Sequence, residues 1–294
     1  FAVSQQLAYP SAGQELTGRQ LAEQIYYVNH LYAFETVEMD GKKNQQIRIY
    51  NHQPGEKPTL LLASRYVNHR LQMENIKTMD MVIFNSGRQR GVGVLVTDYR
   101  ESGKPMSVSL WLPALRKVRR ITEPNHDDIW SGSILTYGDI YLRRPYEETH
   151  EILGREEMQD CMENMVYAKD DWSDDASPEA DCSVKGKPVY LLKSTHQEKN
   201  WWYDYRLRWV DTESFTDYQV HYFKDGQRIK RMSKSWYRLD TDDDPRAVLM
   251  HYWFARSDIN DQQSFALVPP DAVKTNTGRS DRFWSEATLR KIRR

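Results

Sequence analysis

Side chains able to do chemistry are plentiful in this chain, but their spacing does not assemble them. The eight histidines, His30, His52, His69, His126, His150, His196, His221 and His251, are scattered, and their spacing offers no support for a metal site. There is no GxSxG elbow, no P-loop, no GxGxxG fingerprint after a strand and no HExxH helix. Asp170, Asp171, Asp174 and Asp175 could give calcium its oxygen ligands, but the stretch lacks the glycine and closing glutamate of an EF-hand loop. It reads as a solvated acidic loop, and Asp127-Asp128 and Asp242 to Asp244 read as turns. No catalytic residue, metal or cofactor is expected, and the chain does not read as an enzyme. Cys161 and Cys182 flank the acidic stretch. In an oxidising compartment a disulfide closing that ~20-residue loop contributes about 3 kcal/mol by constraining the unfolded chain; otherwise they are two separate thiols.

Cations come in four clusters: Arg116-Lys117-Val118-Arg119-Arg120, Arg143-Arg144, Arg228 to Arg231, and Arg290 to Arg294. Against 42 Asp and Glu, the 41 Lys and Arg leave a net charge of -1, which gives no overall pull on a polyanion, so no nucleic-acid partner is expected. Charges in an alternating strand point to both faces, so each cluster is either a solvated strand end or a contact for anionic headgroups or an acidic partner. No run of about 18 apolar residues could cross a bilayer as a helix. The opening residues, FAVSQQLAYPSAGQ, carry no apolar signal core and read as a processed or trimmed end, as removal of an export signal would leave.

The elements that must position these residues are mostly strands. Thr17-Gly18-Arg19-Gln20 has the spacing of a capping box, and Leu21, Ile25, Val28 and Tyr32 follow at helical intervals, so a helix is predicted over 17–31. ETVEMDGKKNQQIRIYN, around Asp40-Gly41, reads as a hairpin, and so does YQVHYFKDGQRIKRMSKSWYRL around Asp225-Gly226. The glycine pair in GVGV, residues 91–94, reads as a bulge or a close backbone approach. In WWYDYRLRWV, Tyr203, Tyr205, Leu207 and Trp209 share one face and Asp204, Arg206 and Arg208 the other; the aromatic face is expected inside and the charged one in water. The fold class is thus mainly β (α+β): a single domain over 1–294 with an acidic, Cys-flanked loop insertion at about 155–183. Its antiparallel sheet curls around a helix and leaves an apolar trough for the 9 Trp and 18 Tyr to line.

The stretch SLWLPALRKVRRI, residues 109–121, followed by WSGSILTYGDIYL, residues 130–142, resembles the paired motif of the bacterial outer-membrane lipoprotein-sorting protein family. Trp111 or Leu110 opens the first motif, and Pro113, Leu115, Arg116, Lys117, Val118, Arg119, Arg120 and Ile121 continue it. Trp130, Gly132, Ser133, Thr136, Tyr137 and Asp139 match the second. VKGKPVYLLKST, then YRLRWVDTESFTDYQVHYFKDGQRIKRM, and FWSEATLRKI near the C-terminus are similar to the family's later strands, Asp-Gly hairpin and closing element. Ser131, Ile134 and Gly138 depart from it, the last two standing where the family has acids.

The resemblance implies a LolA/LolB-like fold, a strongly curved antiparallel half-barrel whose N-terminal helix and short helices cover the concave apolar face. It implies a soluble periplasmic protein that carries a lipid or lipoprotein acyl chain across the bacterial envelope, with an inner-membrane exporter of the resistance-nodulation-division type as a partner. SLWLPALRKVRRI then reads as one strand, with Pro113 at a bulge or edge. Its apolar half, Leu110, Trp111, Leu112 and Leu115, joins Trp130, Tyr137, Tyr203, Tyr205, Leu207, Trp209 and Tyr222 in lining the cavity, and Arg116, Lys117, Arg119 and Arg120 form a basic rim. Burying an acyl chain yields about 0.8 kcal/mol per methylene, so binding needs no chemistry. The alternative is an accessory protein that docks on an exporter and has no ligand of its own, which a trough packed solid by side chains would favour.

Overall fold

The computed structural model describes residues 7–42, 45–70, 73–101, 103–166, 177–239 and 243–291. The four aspartates weighed as calcium ligands, Asp242 and the chain's last three residues lie outside them. Among the described residues, short strands joined by tight turns build one 15-stranded sheet, antiparallel throughout, that curves strongly and stays open. From one edge to the other its order is β7 (Lys117–Ile121), β6 (Ser107–Leu112), β5 (Gly93–Tyr99), β4 (Ile76–Phe84), β3 (Thr59–Asn68), β2 (Ile47–His52), β16 (Gln263–Leu267), β15 (Val248–Ser257), β14 (Gln227–Arg238), β13 (Asp217–Lys224), β12 (Tyr205–Asp211), β11 (Pro188–His196) and β8 (Glu148–Glu157). β1 (Thr36–Met39) and β17 (Val273–Thr275) extend it beside β3.

Asp225 and Gly226, with φ of 49° and 74°, form the two-residue turn of the β13–β14 hairpin, the conformation for which Asp-Gly is suited. Around Asp40-Gly41 the expected hairpin is absent. β2 pairs with the first half of β3 (Ile47↔Ala63), and β1 with its second half (Val37↔Val67), so the two strands lie end to end along one neighbour. Asp40 marks the corner between them, its carboxylate accepting from Ser64 Oγ and Tyr66 Oη. The stretch 109–121 is likewise a hairpin rather than one strand. Pro113 fixes the turn after β6, Leu115 N–H donates to Leu112 O at 3.1 Å, Arg116 takes φ 49°, and the cations fall on the edge strand β7.

The predicted helix is α1 (Gly18–Asn29), with Thr17 and Gln20 exchanging both capping-box bonds. It stops short of residue 31 because Leu31 turns to φ 59°. α1 lies across the concave face, where Leu21, Ile25 and Val28 pack with Tyr190, Leu192 and Val210. Its first turn presses on β8 so closely that a Cβ on Gly18 would stand 2.2 Å from His150 O. Beyond it, Phe34, Ile49, Val82, Tyr222 and Trp253 fill the deeper trough.

The convex face is covered too. The Cys161–Cys182 disulfide closes the base of a hairpin of β9 (Met162–Val166) and β10 (Ser177–Asp181), so the ends of the expected loop insertion are paired strands. Met165 packs there with Tyr50, Tyr252 and Phe254, and Arg231 binds Glu163 at 2.7 Å. Further along, Trp284 and Leu289, from the C-terminal turn and α2 (Glu286–Leu289), seal a cluster of Tyr66, Met81, Leu95 and Trp111.

Candidate functional site

β12 decides the character of the concave face, and it does so against the sequence expectation. Arg206 and Arg208 point into the concavity and are buried, whereas Tyr205, Leu207 and Trp209 stand half-buried on the convex side. Alternation separates two faces without saying which turns inward, and here each inward arginine has an acceptor on another strand, Glu148 at the start of β8 or Ser194 of the adjacent β11. Arg206 binds Glu148 through Nε at 3.0 Å and Nη2 at 2.5 Å, and Tyr203 Oη donates to the same carboxylate at 2.7 Å. Arg208 Nη2 donates to Ser194 Oγ at 3.0 Å. On the outer face Tyr205 stacks on Phe223 at 4.9 Å, and Trp209 Nε1 donates to Glu156 at 2.9 Å.

A second buried node hangs from the π-helical turn Gly138–Leu142, which carries Asp139 into the trough. That carboxylate accepts from Lys230 Nζ at 2.7 Å, Arg143 Nη1 at 3.1 Å, Tyr222 Oη and the Thr136 backbone N–H at 2.9 Å. A third node joins Lys234 to Asp217 at 2.9 Å and to Asn29 of α1 at 2.9 Å. Burial alone would raise the carboxyls of Asp139 and Glu148, but Lys230 and Arg143 on one and Arg206 on the other outweigh it and hold both well below the usual carboxylate range. Burial lowers Lys230 and Lys234, and the facing carboxylates offset part of that shift. These groups sit in pairs that hold charge in place, and Ser194, the partner of Arg208, also meets His150 Nδ1 at 2.9 Å. Among the described residues no three His, Cys, Asp or Glu side chains gather as metal ligands.

In front of this network, where α1 meets the ends of β4 and β5, opens a groove of about 620 Å³. Tyr26, Tyr27, Tyr32, Tyr99 and Tyr146 line it together with charged side chains, among them Arg19, Glu23, Lys77, Asp98 and Arg144. Lys77 Nζ lies 5.3 Å from the Tyr26 ring and 4.8 Å from the Tyr32 ring, within cation–π range, and 3.5 Å from Asp98. Burial lowers the Lys77 pKa, and Asp98 opposes the shift. His30 stacks on Tyr26 at 3.8 Å, and burial pushes its pKa down to about 3. Two smaller cavities lie deeper: an apolar one of about 100 Å³ between β2–β4, β14–β16 and the Trp130–Tyr141 segment, and a polar one of about 60 Å³ among the charge pairs.

The residues singled out from sequence are dispersed across this frame. Trp130 and Tyr137 pack in the concavity with Val94, Val96, Val108 and Tyr141, on the face to which the alternation of β6 turns Leu110 and Leu112. Tyr203 and Tyr222 also face inward, but they are fully buried within the core. Trp111 is displaced to the convex side, under Trp284 and Leu289, because it is out of phase with Val108 and Leu110. Leu115 is 48 % exposed in the β6–β7 turn. Arg116, Lys117, Arg119 and Arg120 are all exposed, and Arg120 reaches Glu286 of α2 at 2.7 Å. The groove-lining tyrosines were not picked out. The one available signal was Tyr26-Tyr27 on the flank of the α1 stripe, where a covering helix meets whatever it covers.

A protein-family model described as "Uncharacterized protein" matches residues 75–177. No curated protein matches the chain by sequence. Among solved structures, an outer-membrane lipoprotein-sorting protein domain from Vibrio parahaemolyticus superposes with a TM-score of 0.66 at 15% identity, covering 93% of this chain and 98% of that one. A DUF1329 family protein from Desulfovibrio piger gives 0.66 at 14%, covering 94% and 100%. A LolA superfamily protein from Nitrosomonas europaea gives 0.54 at 12%, covering 93% and 100%. The chain therefore has the LolA-like fold, one large curved and open antiparallel sheet with few helices, as the motifs around Trp111 and Trp130 imply.

Proposed function

We propose that this protein is a non-enzymatic carrier in the bacterial periplasm that holds the acyl chain of a lipid or lipoprotein, acting as one domain over 1–294 with the disulfide-closed hairpin as an insertion. The observation that carries this reading is the groove of about 620 Å³ beneath α1: it is lined by five tyrosines interspersed with charged groups, and lies inside the ~300–1,000 Å³ range of small-ligand sites. It takes over the role first given to Trp111, Tyr205, Leu207 and Trp209. α1 forms one wall of it, so a small displacement of the helix widens it.

One observation favours the second reading, an accessory protein that docks on an exporter and has no ligand. Among the described residues the deep trough is packed with side chains and ion pairs, and the cavities of about 100 and 60 Å³ within it are small. Native mass spectrometry of protein isolated from its own cell envelope, followed by organic extraction, separates the two. A bound amphiphile of defined mass, displaced when Tyr99→Glu puts a charge in the groove wall, supports the carrier. A clean apo mass that persists after incubation with envelope lipids refutes it and leaves the docking protein.

A further inference from the structure

The small polar cavity behind the groove is unbalanced in charge. Arg143, Arg206, Arg208 and Lys234 face it against three carboxylates, Asp139, Glu148 and Asp217. Every carboxylate already has a cation: Glu148 has Arg206, Asp217 has Lys234, and Asp139 is shared by Arg143 and by Lys230, which adds a further positive charge just beyond the lining. Arg208 is left with the Ser194 hydroxyl, and its Nε has no partner. Arg143 commits Nη1 to Asp139 and Tyr222, while its Nε and Nη2 have none. Both residues are more than nine-tenths buried, Arg208 at 5% exposure and Arg143 at 8%.

A buried guanidinium donor without an acceptor is costly, and so is a buried cation without a counter-charge. Burial and the neighbouring Arg206 bring the Arg208 pKa down to about 9, as expected of a guanidinium short of negative charge. His30 and His150, on the same wall, are pushed down to about 3 and about 4 by burial, so at neutral pH they add no charge. Beside Arg143 the wall is a glycine: a Cβ on Gly138 would stand 3.2 Å from Nη2 and 2.9 Å from His126 O. The space, about 60 Å³, is above the ~10–15 Å³ needed to hold one water and is of a size for a small polar group such as a carboxylate. Tyr26 and Pro145 line both this cavity and the aromatic groove, so the two spaces share one wall.

We propose that this cavity binds a single carboxylate group through Arg208 Nε and Arg143 Nη2. The carboxylate belongs either to a free short acid or to a long-chain acid whose tail lies in the groove; the second source rests on the carrier reading, the cavity itself does not. The test measures binding of formate, dodecanoate and the uncharged 1-monododecanoylglycerol to the wild-type protein and to Arg208→Gln. The expected result is that at least one acid binds and that Arg208→Gln weakens it tenfold or more. Formate alone identifies the free acid as the source; dodecanoate alone, or both, identifies the acid head of an amphiphile. Dodecanoate binding equally to wild type and variant, or no better than the uncharged glyceride, overturns the carboxylate site while leaving the carrier intact. Binding of none of the three overturns both. If Arg208→Gln does not fold, the 13C-labelled carboxyl carbon of the bound acid is titrated on the wild-type protein. A pKa well below that of the free acid supports the site, and an unchanged one overturns it.

Discussion

Replacing Arg206 by Met tests whether the concave face is the charged one. The Arg206 side chain is 8% exposed and that of its partner Glu148 fully buried, so the substitution leaves a carboxylate inside the protein with Tyr203 Oη as its remaining close donor. Removing one partner of a buried pair costs about 3–5 kcal/mol. Arg143 and Arg208 still favour the charged carboxylate from nearby, which puts the expected loss at the low end, about 3 kcal/mol at pH 7. The pH dependence has a definite sign. In the wild type the folded pKa of Glu148 lies below its unfolded value, so its contribution is complete above about pH 4.3 and is lost as pH falls. In the variant burial dominates and raises that pKa, so protonation relieves the cost and the gap between the two proteins narrows from pH 7 toward pH 4. Urea midpoints at both pH values, with m-values compared, measure this. Arg206→Met combined with Glu148→Leu recovers more than half of the loss, while Leu207→Ala on the convex face costs about 1 kcal/mol. If Leu207→Ala proves the more damaging, or the Arg206→Met penalty is flat with pH, the assignment of faces is wrong.

Acid should destabilise the fold before the paired carboxylates Asp139 and Glu148 titrate: His30, His69 and His221 are pushed down to about 3 and His126 and His150 to about 4 by burial. Below about pH 6.5 the unfolded chain gains protons on these residues that the folded one refuses, and each costs about 1.4 kcal/mol per pH unit down to its folded pKa; melting temperatures between pH 7 and pH 4 check this, and His69→Gln flattens the slope. Replacing Cys161 and Cys182 by Ser lowers stability by about 3 kcal/mol, read from urea midpoints without reductant. Gly18→Ala drives a methyl toward His150 O and lifts the start of α1 from β8, so it raises binding of an apolar dye at neutral pH while β-sheet circular dichroism is kept. Tyr99→Glu weakens binding of a fluorescent fatty acid at least tenfold with little change in melting temperature.

Features written in local chemistry were legible in the sequence. The Thr17–Gln20 capping box, the Asp225-Gly226 turn and the alternation of β12 each depend on residues within a few positions of one another. The orientation of that alternation depends on Glu148 and Ser194, which reach Arg206 and Arg208 from β8 and β11 and have no local relation to them. The Asp40-Gly41 corner was misread for the same reason: the residues that satisfy Asp40 are Ser64 and Tyr66 of β3, and two short strands sharing one neighbour look locally like the arms of a hairpin. Trp111 was assigned to the cavity by its composition, although its phase with Leu110 already put the two on opposite faces.

The ion pairs constrain how such a protein could carry a chain. An acyl tail gains by leaving water only where the wall it meets is apolar, and the walls around Asp139, Glu148 and Asp217 are not. Separating those charges to admit a tail would expose buried carboxylates and ammonium groups to hydrocarbon, a cost of several kcal/mol per ion. About 0.8 kcal/mol per methylene would have to repay it. The groove under α1 differs in that tyrosines share its wall with the charges, and Lys77 is already placed over the Tyr26 and Tyr32 rings. The network fixes the floor and fills the depth of the half-barrel, so on the proposed carrier reading the mobility a cargo would require falls on α1. That helix is held by its apolar stripe and by few polar ties to the sheet side, among them Asn29 to Asp217 and Lys234 and Gln24 to Arg246. Breaking those ties one at a time, as Asn29→Ala and Gln24→Ala, should therefore speed loading of a fluorescent fatty acid in stopped-flow measurements. Equal weakening of Lys230–Asp139, which lies beneath the groove, should lower stability without changing the loading rate. Loading that accelerates only in the second case would place the entrance through the trough and not under the helix.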